Sequence, residues 1–273
     1  MRLLVTLTIT TFFLTANPTA TAETKIAAHF RDLDGCFILY DLKNNNEVVR
    51  WGGARCSQPM PACSTFKVAL ALMGFDAGVL KDENTPFKWD GTHQPIETWN
   101  RDQTAASWIS ESVVWVSQQI VQKLGSDRVQ KYLDQFQYGT RDLSGGLTTA
   151  WLTSNRWTKH NPTLKISAAE QVSFFARLWR EQLQVSPRAT ELTKKVSFVE
   201  TSPNGYALHG KTGSGFVGTK RLGWFVAHLR GHSNEYVAAV TFTDRDAHQS
   251  RYPYAGLEAR QILKDILIER GLW

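Results

Sequence analysis

The stretch PACSTFKVALALMGFDAG, residues 61–78, contains an apolar run that is long enough to form a helix. Apolar side chains from Phe66 to Phe75 would point to nearly every side of this helix, and Gly78 would end it. A helix that is apolar on all sides is buried in the interior of a protein. The stretch therefore predicts a central helix, beginning near Ser64, around which the rest of the chain packs.

Ser64 and Lys67 lie one turn apart at the start of this helix, so their side chains share one face. The pattern Ser-x-x-Lys is common by chance, and the alternative is that Ser64 caps the helix while Lys67 stays solvated. A helix that is apolar nearly all round leaves Lys67 little exposed surface. A buried lysine must be paired, neutral or used in chemistry. The setting therefore favours a functional pair without deciding for it.

The segments around this helix predict a mixed fold. CFILYDL and EVVRW, separated by KNNN, predict a β-hairpin, and residues from about 96 to 200 are mostly helical in pattern. LHGKTGSG, LGWFVAHL and YVAAVTFTD predict three strands, and LEARQILKDILIERGL predicts an amphipathic helix. We expect an α/β (α+β) fold in which an antiparallel sheet, built from both termini and flanked by helices, forms a lobe of about residues 23–62 and 205–273. An inserted all-helical lobe would span about 63–204, with a cleft between the two lobes.

The first 22 residues have the pattern of a secretory signal peptide. Arg2 is followed by an apolar run to about Ala16, and the small-x-small sequence Ala20-Thr21-Ala22 follows. A membrane anchor is the alternative, but the run is short and rich in threonine for a spanning helix. We expect cleavage near Ala22 and a secreted, periplasmic protein in which residues 23–273 form a single domain without stable membrane insertion.

Charge and cysteine usage exclude some classes of function. The formal net charge is +6, but lysines and arginines are scattered, which disfavours a nucleic-acid partner. No HExxH, HxH or CxxC pattern occurs, so we expect no metal. Cys36 lies in a predicted strand, and Cys56 follows the next one. The two cysteines are therefore able to form a disulfide in an exported protein. Cys63 is expected to be a free buried thiol, since its apolar setting disfavours a catalytic role.

Two further short motifs carry residues of chemical interest. Ser112-Val113-Val114 opens a predicted helix, and the same Ser-x-Val pattern recurs at residues 197–199. Lys211-Thr212-Gly213, followed by Ser214, lies on a predicted strand whose small residues let a substrate approach the backbone closely. Each motif is weak alone, but their order along the chain is specific.

STFK, SVVWVSQ, Tyr138-Gly139, LSGGLTTAWL, LKISAAEQ and KTGSGF follow one another in the chain. In this order they resemble the motifs of the penicillin-recognising serine enzymes and, more closely, of class D β-lactamases of the oxacillinase type. The resemblance covers essentially the whole chain after the signal peptide. It implies a β-lactamase/transpeptidase-like catalytic domain that hydrolyses β-lactam antibiotics through a serine acyl-enzyme and so gives resistance to them.

The resemblance also implies the catalytic roles. Ser64 would be the nucleophile, and Lys67, carboxylated on its side-chain nitrogen by carbon dioxide or bicarbonate, would be the general base. The indole N–H of Trp151 would hold the carbamate, and Ser112 would relay a proton to the lactam nitrogen. No cofactor other than carbon dioxide is implied. Carbamylation needs a neutral amine, which an apolar setting favours; the residues expected to supply that setting are Phe66, Val114, Trp151 and Leu152.

The substrate would be a small-molecule β-lactam lying along the KTG strand. Lys211 and Thr212 would bind its carboxylate beside Gly213, and the backbone N–H groups of Ser64 and Ser214 would form the oxyanion hole. Many relatives add a late arginine for the carboxylate. Arg251 and Arg260 both remain candidates for that role.

Two other departures from the family pattern concern loops. Thr140 stands where the family has asparagine in Tyr-Gly-Asn, which puts the local loop in doubt. The segment TSNRWTKHNPT, residues 153–163, is longer than expected, and Trp157 within it competes with Trp151 as the carbamate partner.

Two other functions remain open for a chain with these motifs. One is a penicillin-binding sensor that becomes acylated and stays so, and the other is a cell-wall DD-peptidase. Fast deacylation of the penicillin adduct would distinguish a β-lactamase from both.

Overall fold

The structure is a computed structural model that describes residues 24–154, 159–245 and 250–273. The predicted signal peptide with its cleavage site near Ala22 lies outside the described residues, and so does Trp157. Within the described ranges, no helix is long and apolar enough to cross a membrane. The same ranges contain no group of three or more His, Cys, Asp or Glu side chains that is able to hold a metal ion.

Seven helices and ten strands make up the regular structure of the described residues. The helices are α1 (Phe66–Asp76), α2 (Ala105–Ser110), α3 (Val114–Leu124), α4 (Ser126–Phe136), α5 (Ala168–Trp179), α6 (Pro187–Val196) and α7 (Ala255–Glu269). The strands are β1 (Leu33–Asp41), β2 (Asn46–Trp51), β3 (Met60–Pro61), β4 (Pro86–Phe87), β5 (Gln103–Thr104), β6 (Lys165–Ile166), β7 (Phe198–Thr201), β8 (Ala207–Val217), β9 (Lys220–Arg230) and β10 (Glu235–Asp244). Short 3-10 turns span Gly53–Ser57, Cys63–Thr65 and Glu97–Trp99, and a further short helical segment spans residues 24–28.

The main sheet has six strands in the order β2-β1-β10-β9-β8-β7, all antiparallel. The first and last long strands pair at its centre, from Leu33 opposite Asp244 to Asp41 opposite Tyr236. The predicted antiparallel sheet built from both ends of the chain is therefore confirmed.

The edge strand β7 differs from expectation, because residues 96–200 were predicted to be mostly helical. It is short, and its pairing with β8 shifts register between Phe198 and Glu200. A short strand with an irregular register carries too little periodicity to be recognised. The strand also lies before residue 205, so the sheet resumes earlier in the chain than the predicted sheet lobe does.

Each face of the sheet is covered by helices. One face packs on α7 and on Ile26 and Phe30 of the N-terminal segment. The other face packs on a larger core that contains α1 and α5. All residues of α1 from Phe66 to Phe75 are buried, which confirms the central helix. Gly78 follows this helix in the left-handed region, φ 71°, where glycine is favoured.

The predicted hairpin and the predicted free thiol of Cys63 are confirmed, and the structure decides the pairing of Cys36 and Cys56, which the sequence left open. Strands β1 and β2 are joined through the KNNN turn, in which Asn45 adopts a left-handed conformation and accepts a hydrogen bond from the Tyr40 hydroxyl at 2.7 Å. A disulfide joins Cys36 to Cys56, and Cys63 is free and buried.

Candidate active site

The nucleophile candidate lies in a tightly held turn. Ser64 is in the 3-10 turn Cys63–Thr65, and a hydrogen bond of 3.0 Å joins its Oγ to the Nζ of Lys67 on the first turn of α1. Cys63 adopts a left-handed conformation, φ 48°, which is unfavourable for a residue with a side chain. Its N–H donates to the Trp151 carbonyl at 3.0 Å, so neighbouring structure holds this conformation.

Lys67 is fully buried, and no carboxylate among the described residues forms a salt bridge with it. Desolvation by burial lowers its pKa well below the usual lysine value, and the nearby Lys211 cation lowers the pKa further, while Cys63 acts weakly in the opposite direction. Burial therefore favours the neutral form of the amine. Burial raises the pKa of the Cys63 thiol to about 12, so this thiol is not a nucleophile at neutral pH.

Trp151 lies beside the same helix turn. Its ring centroid is 5.1 Å from that of Phe66, and its indole Nε1 is buried without a hydrogen-bond partner. A buried N–H that lacks an acceptor is unfavourable by about 1–3 kcal/mol and is uncommon in folded proteins. Val114 and Leu152 are partly buried against this core. One hydrophobic cluster thus contains all four residues that were expected to give Lys67 an apolar setting, namely Phe66, Val114, Trp151 and Leu152.

The KTG segment lies on β8 against the turn that carries Ser64. A side chain added at Gly213 would place its Cβ 3.2 Å from Thr65 Cγ2 and 3.3 Å from Cys63 Cβ, so a small residue is needed there. Lys211 is only 4% exposed, and burial lowers its pKa to about 7. Its Nζ donates to the carbonyl and the hydroxyl of Thr212 at 3.2 and 3.3 Å.

Ser214 and Ser112 are positioned differently. Ser214 is exposed on β8, and its Oγ accepts the Gly256 N–H at 2.9 Å. Ser112 lies in the turn between α2 and α3 with a left-handed φ of 60°, and the following Val113 N–H donates to the Trp108 carbonyl. Among the described residues the Ser112 hydroxyl forms no hydrogen bond, so the structure does not itself join Ser112 to Ser64 and Lys67.

Within the described part of the chain, neither arginine candidate forms a hydrogen bond or an ion pair with the KTG segment. Arg251 is exposed and donates to the hydroxyl of its neighbour Tyr252 at 3.0 Å. Arg260 forms an ion pair with Glu200 on β7, and Lys264 binds the same carboxylate.

The two unusual loops are well tied to the rest of the molecule. The Thr140 hydroxyl donates to the Thr163 carbonyl at 2.6 Å and accepts the Lys165 N–H at 2.9 Å. Thr140 thereby satisfies both neighbouring backbone groups. The Leu164 N–H donates to the Ala150 carbonyl at 3.0 Å, which brings the two ends of the 153–163 segment together.

A buried polar pair behind the nucleophile turn was missed in the sequence. The Thr65 hydroxyl donates to the Ala62 carbonyl and accepts the side-chain N–H of Gln171 on α5 at 2.6 Å. Gln171 follows Ala168 by three residues and precedes Phe175 by four, so it occupies a core position of its helix. A polar residue at a core position of a helix was the feature of the sequence that could have indicated this buried pair.

Three comparisons with known proteins agree with this geometry. Residues 35–267 match the penicillin binding protein transpeptidase domain. The β-lactamase OXA-1 from Escherichia coli is 38% identical over 240 residues, which cover 84% of each chain. The solved structure of the class D β-lactamase BAT-2 has a TM-score of 0.80 at 31% identity, covering 91% of this chain and 96% of that one. The C-terminal domain of the Bacillus licheniformis BlaR penicillin-receptor has a TM-score of 0.81 at 26% identity, covering 91% and 95%.

The chain therefore belongs to the penicillin-binding protein transpeptidase family and, within it, to the class D serine β-lactamases. The resemblance drawn from the ordered motifs and the fold class that it implied are both confirmed.

Proposed function

We propose that this protein hydrolyses β-lactam antibiotics, penicillins and oxacillin-type compounds among them, through an acyl-enzyme on Ser64, and that it thereby gives resistance. The observation that carries the proposal is the hydrogen bond of 3.0 Å between Ser64 Oγ and a fully buried Lys67 that has no carboxylate partner among the described residues. A lysine kept neutral beside a serine hydroxyl is suited to proton transfer.

The site fits a lysine that carries a carboxyl group. Burial lowers the pKa of its amine and so favours the neutral form that reaction with carbon dioxide requires, and the unpartnered indole N–H of Trp151 is a donor for a carbamate oxygen. A carbamate there would supply a negatively charged base for the Ser64 proton and for the hydrolytic water. Phe66, Val114 and Leu152 would keep bulk water away from this base.

The remaining proposed roles are those that the similarity to class D β-lactamases implies. Ser64 Oγ would attack the lactam carbonyl carbon, and the oxygen of that carbonyl would lie between the N–H groups of Ser64 and Ser214. The lactam C–N bond would then break as Ser112 passes a proton to the nitrogen. Lys211 and Thr212 would bind the substrate carboxylate beside Gly213.

The sensor function is the second candidate, because the BlaR domain has a backbone as similar as that of BAT-2. Sequence similarity favours the enzyme, since OXA-1 is 38% identical over most of the chain while the BlaR domain is 26% identical. We further propose export to the periplasm with cleavage near Ala22, because the first residues have the pattern of a signal peptide.

The test is benzylpenicillin hydrolysis by residues 23–273, followed by loss of lactam absorbance with and without bicarbonate. Steady turnover that rises with bicarbonate is expected, with none in Ser64→Ala. Lys67→Ala should still acylate but stall before turnover. One equivalent of penicillin bound without turnover at any bicarbonate concentration would instead favour the sensor or the peptidase, and undiminished turnover in Lys67→Ala would refute the assigned base.

A further inference from the structure

The segment Trp151–Thr153 contacts two different parts of the active site. The Trp151 carbonyl accepts the Cys63 N–H at 3.0 Å, in the turn that carries Ser64. Thr153 Oγ1 accepts the Phe216 N–H, also at 3.0 Å, on the strand that carries the KTG motif. Three consecutive residues therefore connect the nucleophile turn to the substrate strand.

The packing at this junction leaves no spare room. A Cβ added at Gly215 would lie 2.6 Å from Thr153 Oγ1 and 2.7 Å from Cys63 Sγ. A Cβ atom essentially never lies this close to a non-bonded atom, so glycine is needed for the close approach. The strand, the nucleophile turn and Thr153 are thus in direct van der Waals contact at one point.

Thr153 binds the open edge of β8. Strand β7 pairs with β8 only as far as His209, so the outer edge of the later residues has no strand partner among the residues that the structure describes. In a β-strand the N–H groups of residues two apart point to the same edge. The N–H of Ser214 therefore points to the same edge as the N–H of Phe216, which Thr153 binds.

We propose that Thr153 is a positioning residue that fixes the spacing of the two oxyanion donors, the N–H groups of Ser64 and Ser214. This inference rests on the proposed function. One donor lies next to Cys63, and the other lies two residues before Phe216, so the bridge joins the two backbones that carry them. It also gives a role to the first residue of the unusually long 153–163 segment.

The test compares Thr153→Val, which removes the acceptor but keeps the shape, with Thr153→Ser, which keeps a hydroxyl. The benzylpenicillin kcat/KM of Thr153→Val should fall about tenfold, because a misplacement of about 1 Å costs up to about a hundredfold. Affinity for a phenylboronic acid should fall by a similar factor, because its tetrahedral adduct on Ser64 places an oxygen in the oxyanion hole. Thr153→Ser should recover most of both.

Thr193→Val on α6 is the matched control. It removes a buried hydroxyl that donates to the Ala189 carbonyl at 2.8 Å, away from the site. It should lower Tm yet leave kcat/KM and boronate affinity within about twofold, which separates general destabilisation from misplaced donors.

The outcomes separate this inference from the proposed function. Failure of the unaltered enzyme to hydrolyse penicillin would refute the function itself. If the unaltered enzyme is active, then unchanged boronate affinity in Thr153→Val, or equal losses in Thr153→Val and Thr153→Ser, would overturn the role of Thr153. Parallel losses in Thr153→Val that Thr153→Ser restores would support it.

Discussion

The burial of Lys67, with no anionic partner among the described residues, affects the free energy of unfolding. Its pKa in the folded protein lies well below the 10.5 of an exposed lysine, chiefly through desolvation. At pH values between the folded pKa and 10.5, Lys67 is protonated in the unfolded chain and deprotonated in the folded protein. The free energy of unfolding therefore rises with pH across that window. At neutral pH the residue that we propose as the general base therefore destabilises the fold.

Lys67→Met should stabilise the protein and abolish turnover. Methionine fills a similar volume without an amine to desolvate, and we expect a gain of about 1–3 kcal/mol. Calorimetry should show a Tm higher by about 2–4 °C per kcal/mol regained. A lower Tm in Lys67→Met would mean that the lysine makes favourable interactions that outweigh its desolvation.

Lys211, which we propose binds the substrate carboxylate, should make substrate binding depend on pH. Because burial lowers its pKa to about 7, Lys211 is a cation below that pH and neutral above it. The kcat/KM for benzylpenicillin should therefore decline above pH 7 as the carboxylate loses its cationic partner.

Lys211→Arg is the discriminating variant, since arginine stays charged throughout. Its kcat/KM, even if lower overall, should lack the decline above pH 7. Added bicarbonate should move the decline of the unaltered enzyme to higher pH, since an anion at Lys67 would raise the pKa of its neighbour. An identical decline in Lys211→Arg would assign the titration to another group.

Among the elements, the 3-10 turn Gly53–Ser57 depends on its covalent link to the central strand β1. The disulfide from Cys36 to Cys56 spans a sequence separation of 20, and both cysteines are fully buried. Closing a loop of this size stabilises a fold by about 3 kcal/mol.

The double variant Cys36→Ala/Cys56→Ala should lose about 3 kcal/mol, which lowers Tm by roughly 6–12 °C. Urea unfolding with and without a thiol reductant measures the effect. The unaltered protein should lose stability in reductant while the double variant does not respond. An equal response of both proteins would show that the bond does not limit stability.

The elements also show what a sequence is able to predict. The α1 helix and the Ser64–Lys67 pair were predictable because helical periodicity and a spacing of three residues are local properties. The contacts that hold this pair were not, because Gln171 meets Thr65 across 106 residues and Phe216 meets Thr153 across 63. Such pairings depend on how the sheet and helices assemble, and no local pattern encodes them.

At the scale of the whole molecule, His228 joins the sheet to the helices. Its ring stacks on Trp179 of α5, with centroids 4.3 Å apart, and its Nε2 lies 2.7 Å from a Glu235 carboxylate oxygen. Burial, with a smaller contribution from His209 and Arg230, lowers the pKa of His228 to about 4 in spite of that carboxylate. His228 is therefore neutral at physiological pH and donates its N–H to Glu235.

Acid should weaken this junction in a defined pH window. The unfolded histidine takes up a proton near pH 6.5, whereas the folded one does so only near pH 4. Between these values the unfolded state binds more protons, so stability falls as pH falls. We expect a loss of about 2 kcal/mol from pH 6.5 to 4.5. Below pH 4.5, Glu235 adds a further loss, because its own pKa is lowered to about 2, chiefly by the hydrogen bond from His228.

His228→Gln isolates the effect, because glutamine keeps an N–H for Glu235 but does not titrate. Urea unfolding at half-unit pH steps should show that the variant lacks the decline between pH 6.5 and 4.5, whatever its stability at pH 7. Carboxylates that do not contact His228 titrate equally in both proteins, so the difference between the two curves carries the signal of the His228–Glu235 pair. A constant difference across this window would mean that Glu235 retains His228 as a cation, with burial too weak to keep it neutral.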